Sequence, residues 1–237
     1  MQAIILCGGL GTRLRPIVSD VPKTMADIRG RPFLEYLLAQ LRSSGIGQAV
    51  LCAGFRAEQI RAHCGAGSRF GLQLEYSIES EPLGTAGALK LAEPLLDGDS
   101  WLLMNGDSFF DIPIPDLIQA HARDPAVVTL ALARVEDASR YGAVELAADG
   151  VVTHFSQNFD SPQPGLINGG IYMLERSALQ RIPANRTVSL ERDVLPGLVG
   201  RGLRGLPFGG FFVDIGVPAG YVRAQDSDVL GRFRAPN

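Results

Sequence analysis

The chain has 237 residues, 22 of them basic and 25 acidic, with a formal charge of −3 and 46% hydrophobic residues. At about 150 residues per domain this is one large domain or two small ones, and no basic surplus points to nucleic acid, although a local site could still hold an anion. No apolar run approaches the roughly 18 residues of a membrane helix, so no membrane partner is expected.

In chain order, residues 2–7 are an apolar strand that breaks into glycine; with no basic run before it, the start reads as a first strand rather than a leader, and a cytoplasmic location follows. Apolar positions 33, 34, 37, 38 and 41 predict a helix over 32–41, with Pro32 in its first turn and Gly45 at its end. Strands follow at 48–53 and 72–78, separated by a short helix at 57–63. A helix at 85–92, a strand at 101–105, a helix at 115–122 and an apolar strand at 126–133 complete a βαβαβαβαβ alternation. That alternation predicts a mostly parallel sheet with helices on both faces.

The second half changes character. Strands at 143–146 and 151–155 flank Asp149-Gly150, a two-residue hairpin signal. A strand at 171–174, a helix at 190–199, a strand at 211–213 and a helix at 217–228 follow. With no repeat and no linker, one α/β domain with a small antiparallel insertion in its C-terminal half fits better than two domains. Three cysteines, Cys7, Cys52 and Cys64, form no CxxC pair and read as core residues of a reducing compartment. His121 and His154 show no partners and read as structural or surface residues.

The loop after the first strand, GGLGTRLRP at 8–16, carries the first chemical signal. Its glycines let backbone N–H groups approach an anion, but it is neither a Walker loop nor a dinucleotide fingerprint, because Leu14 stands where the third glycine belongs. Arg13 and Lys23, one of only two lysines in the chain, supply the cations a triphosphate needs.

These residues resemble the sugar-1-phosphate nucleotidylyltransferases, whose signature is similar to GGxGTRLxP followed by PK. Pro22-Lys23 matches, with Thr24 where a further proline is usual. EPLGTAGAL at 81–89, NGD at 105–107, Tyr141-Gly142, INGGIY at 167–172 and FVDIGVP at 212–218 match further family segments in order. The resemblance implies a Rossmann-like sheet of the nucleotide-diphospho-sugar transferase type, a single domain over 1–237 with a nucleotide-binding half at 1–134 and a sugar-phosphate-binding half at 135–237.

It also implies roles. Arg13 and Lys23 are the expected catalytic cations. Leu6, Gly8, Gly9, Gly11, Thr12, Arg13, Glu79, Gly84 and Thr85 are expected at the nucleotide, and Gly142, Asn168, Gly169 and Glu191 at the sugar phosphate. Asp107 and Asp214, each closing a strand, are the expected Mg²⁺ ligands, since Mg²⁺ takes hard oxygen donors and fills its other positions with phosphate and water. Many members carry Phe-x-Glu-Lys where this chain has Gln157 and Asn158, which leaves Arg176, Arg186 and Arg192 as candidates for that charge, with nothing in the sequence to choose among them. Glu79 stands where pyrimidine-using relatives commonly have glutamine. A carboxylate accepts both the N1–H and the 2-amino donors of guanine, so GTP is the expected nucleotide.

INGGIY and SLERDVLP at 189–196 look most like the heptose 1-phosphate guanylyltransferases, with the mannose 1-phosphate enzymes next. The expected substrates are therefore GTP and a sugar 1-phosphate, for surface polysaccharide such as capsule, with room for a homo-oligomer. The end at residue 237 carries the expectation that no left-handed β-helix domain follows. Two other readings remain at this point: a non-catalytic nucleotide-sugar-binding homologue, and a glycosyltransferase using Asp97-x-Asp99 as its metal motif.

Overall fold

The first strand, β1 (Gln2–Leu6), is apolar on both faces and is the strand around which the sheet is laid. A computed structural model describes residues 1–9, 11, 13, 14, 16–156 and 162–233. After the glycine-rich loop come two short paired segments, β2 (Asp27–Ile28) and β3 (Arg31–Pro32), and α1 (Phe33–Ser43). Then β4 (Gln48–Ala53), α2 (Ala57–Cys64), β5 (Gln73–Ile78), α3 (Gly84–Ala92) and β6 (Ser100–Asn105) follow. Next stand β7 (Ser108–Phe110), α4 (Ile114–Arg123), β8 (Val128–Val135), β9 (Val144–Leu146) and β10 (Val152–Phe155). The last elements are β11 (Gly165–Glu175), α5 (Arg176–Leu179), β12 (Leu203–Phe208), β13 (Phe212–Asp214) and α6 (Pro218–Gln225).

Seven strands form the main sheet in the order β12-β8-β11-β6-β1-β4-β5. All run parallel except β11, which is antiparallel to both its neighbours, β6 and β8. Successive side chains of a strand point to opposite faces. Ile5 and Met104 accordingly join α1, α2 and α4 in one core, and Ile4 and Leu103 join α3 and α5 in the other. Cys7, Cys52 and Cys64 are free and buried, and burial pushes the Cys52 thiol up to about 12 and the Cys64 thiol up to about 11. Among the described residues no helix is long and apolar enough to cross a membrane.

The predicted elements of the first half stand within a few residues of their expected places. The second half differs more: the strand expected at 171–174 runs from Gly165 to Glu175, and the short α5 has no counterpart among the expected elements. The hairpin β9–β10 closes through three residues, 148–150: Gly150 N–H donates to Ala147 O at 2.9 Å and Ala147 N–H to Val151 O at 2.9 Å, with Gly150 at φ +85°. That is the turn-plus-bulge solution rather than the two-residue one. The helix expected over 190–199 is a wide π-type turn, Leu190–Val194, followed by a tight 3₁₀ turn, Leu195–Leu198, because Pro196 cannot continue a regular ladder. Strand β12 was hidden by Gly205 and Pro207, which interrupt its apolar pattern. They suit an edge: Gly205 N–H donates outward to Gly150 O, and Pro207, the next outward position, has no N–H to offer a stray strand.

Strand β11 crosses the centre of the sheet by breaking register between Asn168 and Tyr172. The break falls on Gly169-Gly170. A Cβ on Gly169 would lie 2.5 Å from Phe110 Cδ1 and 2.8 Å from the Ala131 carbonyl oxygen, and Gly170 holds φ +75°. Neither the ring nor the backbone oxygen can retreat within the packed core. Gly169→Ala is therefore expected to destabilise the fold by about 1–3 kcal/mol, read as a lower urea midpoint; an unchanged midpoint would show that β11 is not clamped against Phe110.

Candidate active site

In an open parallel sheet ligands bind where the strand order reverses, outside the carboxyl ends of the strands. Here the chain leaves β1 toward β4 and β5 on one side and returns to β6 on the other. The crevice thus opens between the glycine-rich loop after β1 and Asn105-Gly106-Asp107 after β6. Gly106 N–H donates to Leu6 O at 3.0 Å and fastens these two ends together. A cavity of about 300 Å³ lies there, walled by Leu6, Gly8, Gly9, Lys23, Glu79, Gly84, Thr85, Asp107 and Glu191 among others.

Two carboxylates meet at one end of the cavity. The antiparallel pairing of β7 with β13 sets Asp214 opposite Ser108, and Ile215 N–H donates to Asp107 O at 2.9 Å. Lys23 forms an ion pair with Asp107 through Oδ2. Gly216 lies against all three: a Cβ there would be 2.7 Å from Asp214 Oδ1, 3.2 Å from Lys23 Nζ and 3.3 Å from Asp107 Oδ2. Burial, and next the Asp107 charge, hold the Asp214 carboxyl above its usual range; the Gly216 amide at 2.6 Å, Lys23 and Arg13 act the other way. Like charges pressed together in a half-buried site are the condition a bound cation relieves.

The donor set therefore fits a hard divalent ion such as Mg²⁺, which Asp107 and Asp214 could hold between them. Among the described residues no cluster of three or more His, Cys, Asp or Glu side chains could hold a metal by itself. The remaining positions fall to phosphate oxygens and water, the usual habit of Mg²⁺.

The other end of the cavity is built on glycine. Glu79 N–H donates to Ala53 O at 2.9 Å, and its Oε2 accepts Leu83 N–H at 3.1 Å. The side chain lies flat over Gly8 and Gly54: a Cβ on Gly8 would stand 2.5 Å from Glu79 Oε1, and one on Gly54 2.7 Å from Glu79 Cγ. Burial raises the Glu79 carboxyl and the Leu83 amide lowers it. Gly84 opens α3 at φ +73°, where a Cβ would be 2.6 Å from Val188 O; that oxygen accepts the amides of Ala86 and Gly87 at 3.0 and 3.2 Å. Gly11, at φ +61°, rests on the Lys23 side chain. Thr12, Gln157 and Asn158 lie outside the described residues.

Glu191 enters the cavity from the turn after Ser189. Its Oε2 accepts from Thr85 Oγ1 at 2.8 Å and Ser189 Oγ at 3.1 Å, and Thr85 Oγ1 accepts Leu190 N–H at 2.7 Å. Asn168 spends its amide within the fold, donating to Tyr172 Oη at 2.7 Å and accepting Gly170 N–H at 3.1 Å. Arg13 is exposed, and its charge reaches Asp214 and Tyr141. Gly142, buried at φ +77°, follows Tyr141, whose ring packs edge-on against Phe212 beside Asp214.

The structure also sorts the alternatives. Arg176 pairs with Asp99 at 2.9 Å at the amino end of β6, the far end of the sheet from the cavity. This removes Arg176 as the sugar-phosphate cation and Asp97-x-Asp99 as a metal motif in this crevice. Arg186 and Arg192 stay exposed on the segment beside α3. His121 is buried between Thr129 Oγ1 and Glu175 Oε1, each at 2.8 Å, and His154 is exposed on β10. Gly54 belongs to the site through a contact with Glu79 that no local motif announces, whereas Tyr172 and Gly216, within the INGGIY and FVDIGVP segments, join it through contacts with residues distant in the chain.

The family model described as nucleotidyl transferase matches residues 2–229. The chain is 38% identical over 221 residues to the D-glycero-alpha-D-manno-heptose 1-phosphate guanylyltransferase of Campylobacter jejuni, covering 93% of this chain and 97% of that one. It is 35% identical over 239 residues to the mannose-1-phosphate guanylyltransferase of Mycobacterium tuberculosis, covering 100% of this chain and 67% of that one. Among solved structures it superposes on HddC from Yersinia pseudotuberculosis complexed with GMP-PN with a TM-score of 0.84 and 30% identity, over 95% of this chain and 98% of that one. The chain belongs to the nucleotidyl transferase family.

Proposed function

We propose that the protein joins GTP and D-glycero-α-D-manno-heptose 1-phosphate to give GDP-heptose and pyrophosphate, in the cytoplasm, for a surface polysaccharide such as capsule. The reaction class rests on the meeting of Lys23, Asp107 and Asp214 beside the glycine-rich loop. The sugar rests on the near end-to-end match to the Campylobacter jejuni enzyme. A mannose 1-phosphate substrate is the second reading, favoured by the match to the Mycobacterium tuberculosis enzyme over the whole of this chain. GTP with a panel of sugar 1-phosphates, followed by pyrophosphate release, separates the two; turnover confined to mannose 1-phosphate overturns the heptose reading.

A phosphate oxygen of the sugar attacks the α-phosphorus of GTP in line, and pyrophosphate leaves. The attacking oxygen is already ionised at neutral pH, so no residue need remove a proton. The obstacle is repulsion between two polyanions, and the protein's part is positioning and charge. Lys23, a compact point charge, lies between the attacking phosphate and the α-phosphate, while the forked guanidinium of Arg13 takes the departing pyrophosphate. Asp107 and Asp214 would hold Mg²⁺, which when bound would supply positive charge against the phosphates. Leu6, Gly8, Gly9, Gly11, Thr12, Gly84 and Thr85 form the nucleotide cradle, and Gly142, Asn168, Gly169 and Glu191 the sugar-phosphate wall. Residues 1–134 are the nucleotide half and 135–237 the sugar-phosphate half of one domain, with β11 of the second half seated between two strands of the first.

Glu79, in its glycine slot, accepts the paired donors of guanine and repels the carbonyls of uracil and thymine. A bidentate base contact of this kind is worth about 1–3 kcal/mol of discrimination. Glu79→Gln is expected to erode the GTP-over-UTP preference by a corresponding factor while Mg²⁺ dependence persists; an unchanged nucleotide profile removes Glu79 as the base reader.

Asp107→Asn and Asp214→Asn keep side-chain shape and remove charge. Each is expected to lower turnover on the order of 100-fold or more with the melting temperature nearly unchanged. Near-normal rates at saturating Mg²⁺ in both variants would contradict the metal assignment. Lys23→Ala is expected to lower kcat and raise KM for the sugar phosphate more than KM for GTP; the reverse pattern would exchange the roles of Lys23 and Arg13.

A further inference from the structure

Tyr172, fully buried on β11, touches three parts of the site at once. Its phenolic oxygen accepts Asn168 Nδ2–H at 2.7 Å and Asn105 Nδ2–H at 3.4 Å, and its O–H points at Glu191 Oε1, 3.5 Å away. A phenol has two acceptor lone pairs and one proton. With an amide donating on each lone pair the hydroxyl cannot turn, and its proton is directed to Glu191. Burial, with the Glu191 charge next, holds the phenol well above its ordinary range, so it remains a donor.

Glu191 is correspondingly held by hydroxyls. Oε2 takes those of Thr85 and Ser189, and Oε1 faces that of Tyr172. Among the described residues Glu191 has no ion-pair partner. Three neutral donors from α3, β11 and the turn after Ser189 therefore fix its rotamer without neutralising it. The less engaged oxygen, Oε1, has only the 3.5 Å contact to Tyr172 among the described residues, and Glu191 lines a cavity together with Asn105 and Asp107. An acceptor of that kind recognises donor groups, and hydroxyls are what a sugar offers in plenty.

We infer that Tyr172 is a positioning residue for sugar recognition: its hydroxyl, oriented by Asn168 and Asn105, sets Glu191 Oε1 to accept a hydroxyl of the sugar 1-phosphate. The inference rests on the reading above that Glu191 belongs to the sugar-phosphate wall. Because Asn105 begins the segment that carries Asp107, the same hydroxyl registers that wall against the segment facing the phosphates.

The test is a double-mutant cycle of Tyr172→Phe and Glu191→Gln, with steady-state constants for GTP and for D-mannose 1-phosphate and D-glycero-α-D-manno-heptose 1-phosphate. A hydrogen bond to a charged group corresponds to roughly tenfold or more in affinity. Each single variant is expected to raise the sugar-phosphate KM about tenfold with KM for GTP within about twofold, and the double variant to match Glu191→Gln alone. If Glu191→Gln leaves the sugar-phosphate KM unchanged, the reading of Glu191 fails and the inference with it. If Glu191→Gln raises it but Tyr172→Phe does not, or the two effects multiply, the inference fails while Glu191 keeps its place. Should Tyr172→Phe not fold, Asn168→Ala, which keeps the phenol and removes its best orienting donor, runs through the same cycle with the same expected and contrary outcomes.

Discussion

The molecule is organised around two aspartates that repel each other and are nevertheless held together. Asp107 ends the excursion after β6 and Asp214 ends β13, and the β7–β13 pairing leaves them no room to part. Gly216 removes the Cβ that would separate them, and Lys23 supplies one positive charge where two negative ones meet. Burial and the Asp107 charge hold the Asp214 carboxyl above its usual range, and the β7–β13 ladder keeps the two residues together. Many features of the site follow from that meeting of charges. The cations Lys23 and Arg13 lie beside it, and the glycine-built slot that holds Glu79 forms the other end of the cavity.

The two ends of the cavity obey different physics. At the aspartates the arrangement is governed by charge. At Glu79 and Glu191, shape and hydrogen-bond direction decide. Each carboxylate there is held by neutral donors and carries no ion-pair partner among the described residues. Glu79 is steered by the Leu83 amide and a slot between Gly8 and Gly54, and Glu191 by three hydroxyls. Carboxylates held this way remain acceptors of directed hydrogen bonds, which suits a base edge and sugar hydroxyls.

Much of this was legible in the sequence because local rules act at short range. The strand-to-glycine break after Cys7 and the helical face at 33–41 announce themselves within a few residues, while Asn105-Gly106-Asp107 stands out through the family resemblance. What stayed hidden depends on partners distant in the chain. Strand β12 exists because β8 lies beside it and despite Gly205 and Pro207. The turn at 190–194 widens because Pro196 follows and because Glu191 is drawn to Thr85, over a hundred residues away. Tyr172 reads as one more apolar position of a strand, and only the fold shows that its hydroxyl meets Asn105, Asn168 and Glu191. Gly54 lies just past the strand expected at 48–53 and carries no local signal, yet it is one wall of the slot that holds Glu79.

The claim that the paired aspartates form one divalent-ion site is tested most directly by electron paramagnetic resonance titration of Mn²⁺ into the protein in the presence of a non-hydrolysable GTP analogue. One ion bound tightly by the wild type, with affinity lost when either aspartate alone is changed to asparagine, is the result the account predicts. Equal Mn²⁺ affinity in the wild type and in the Asp214→Asn protein would contradict it, since the two carboxylates would then not act on a common ion.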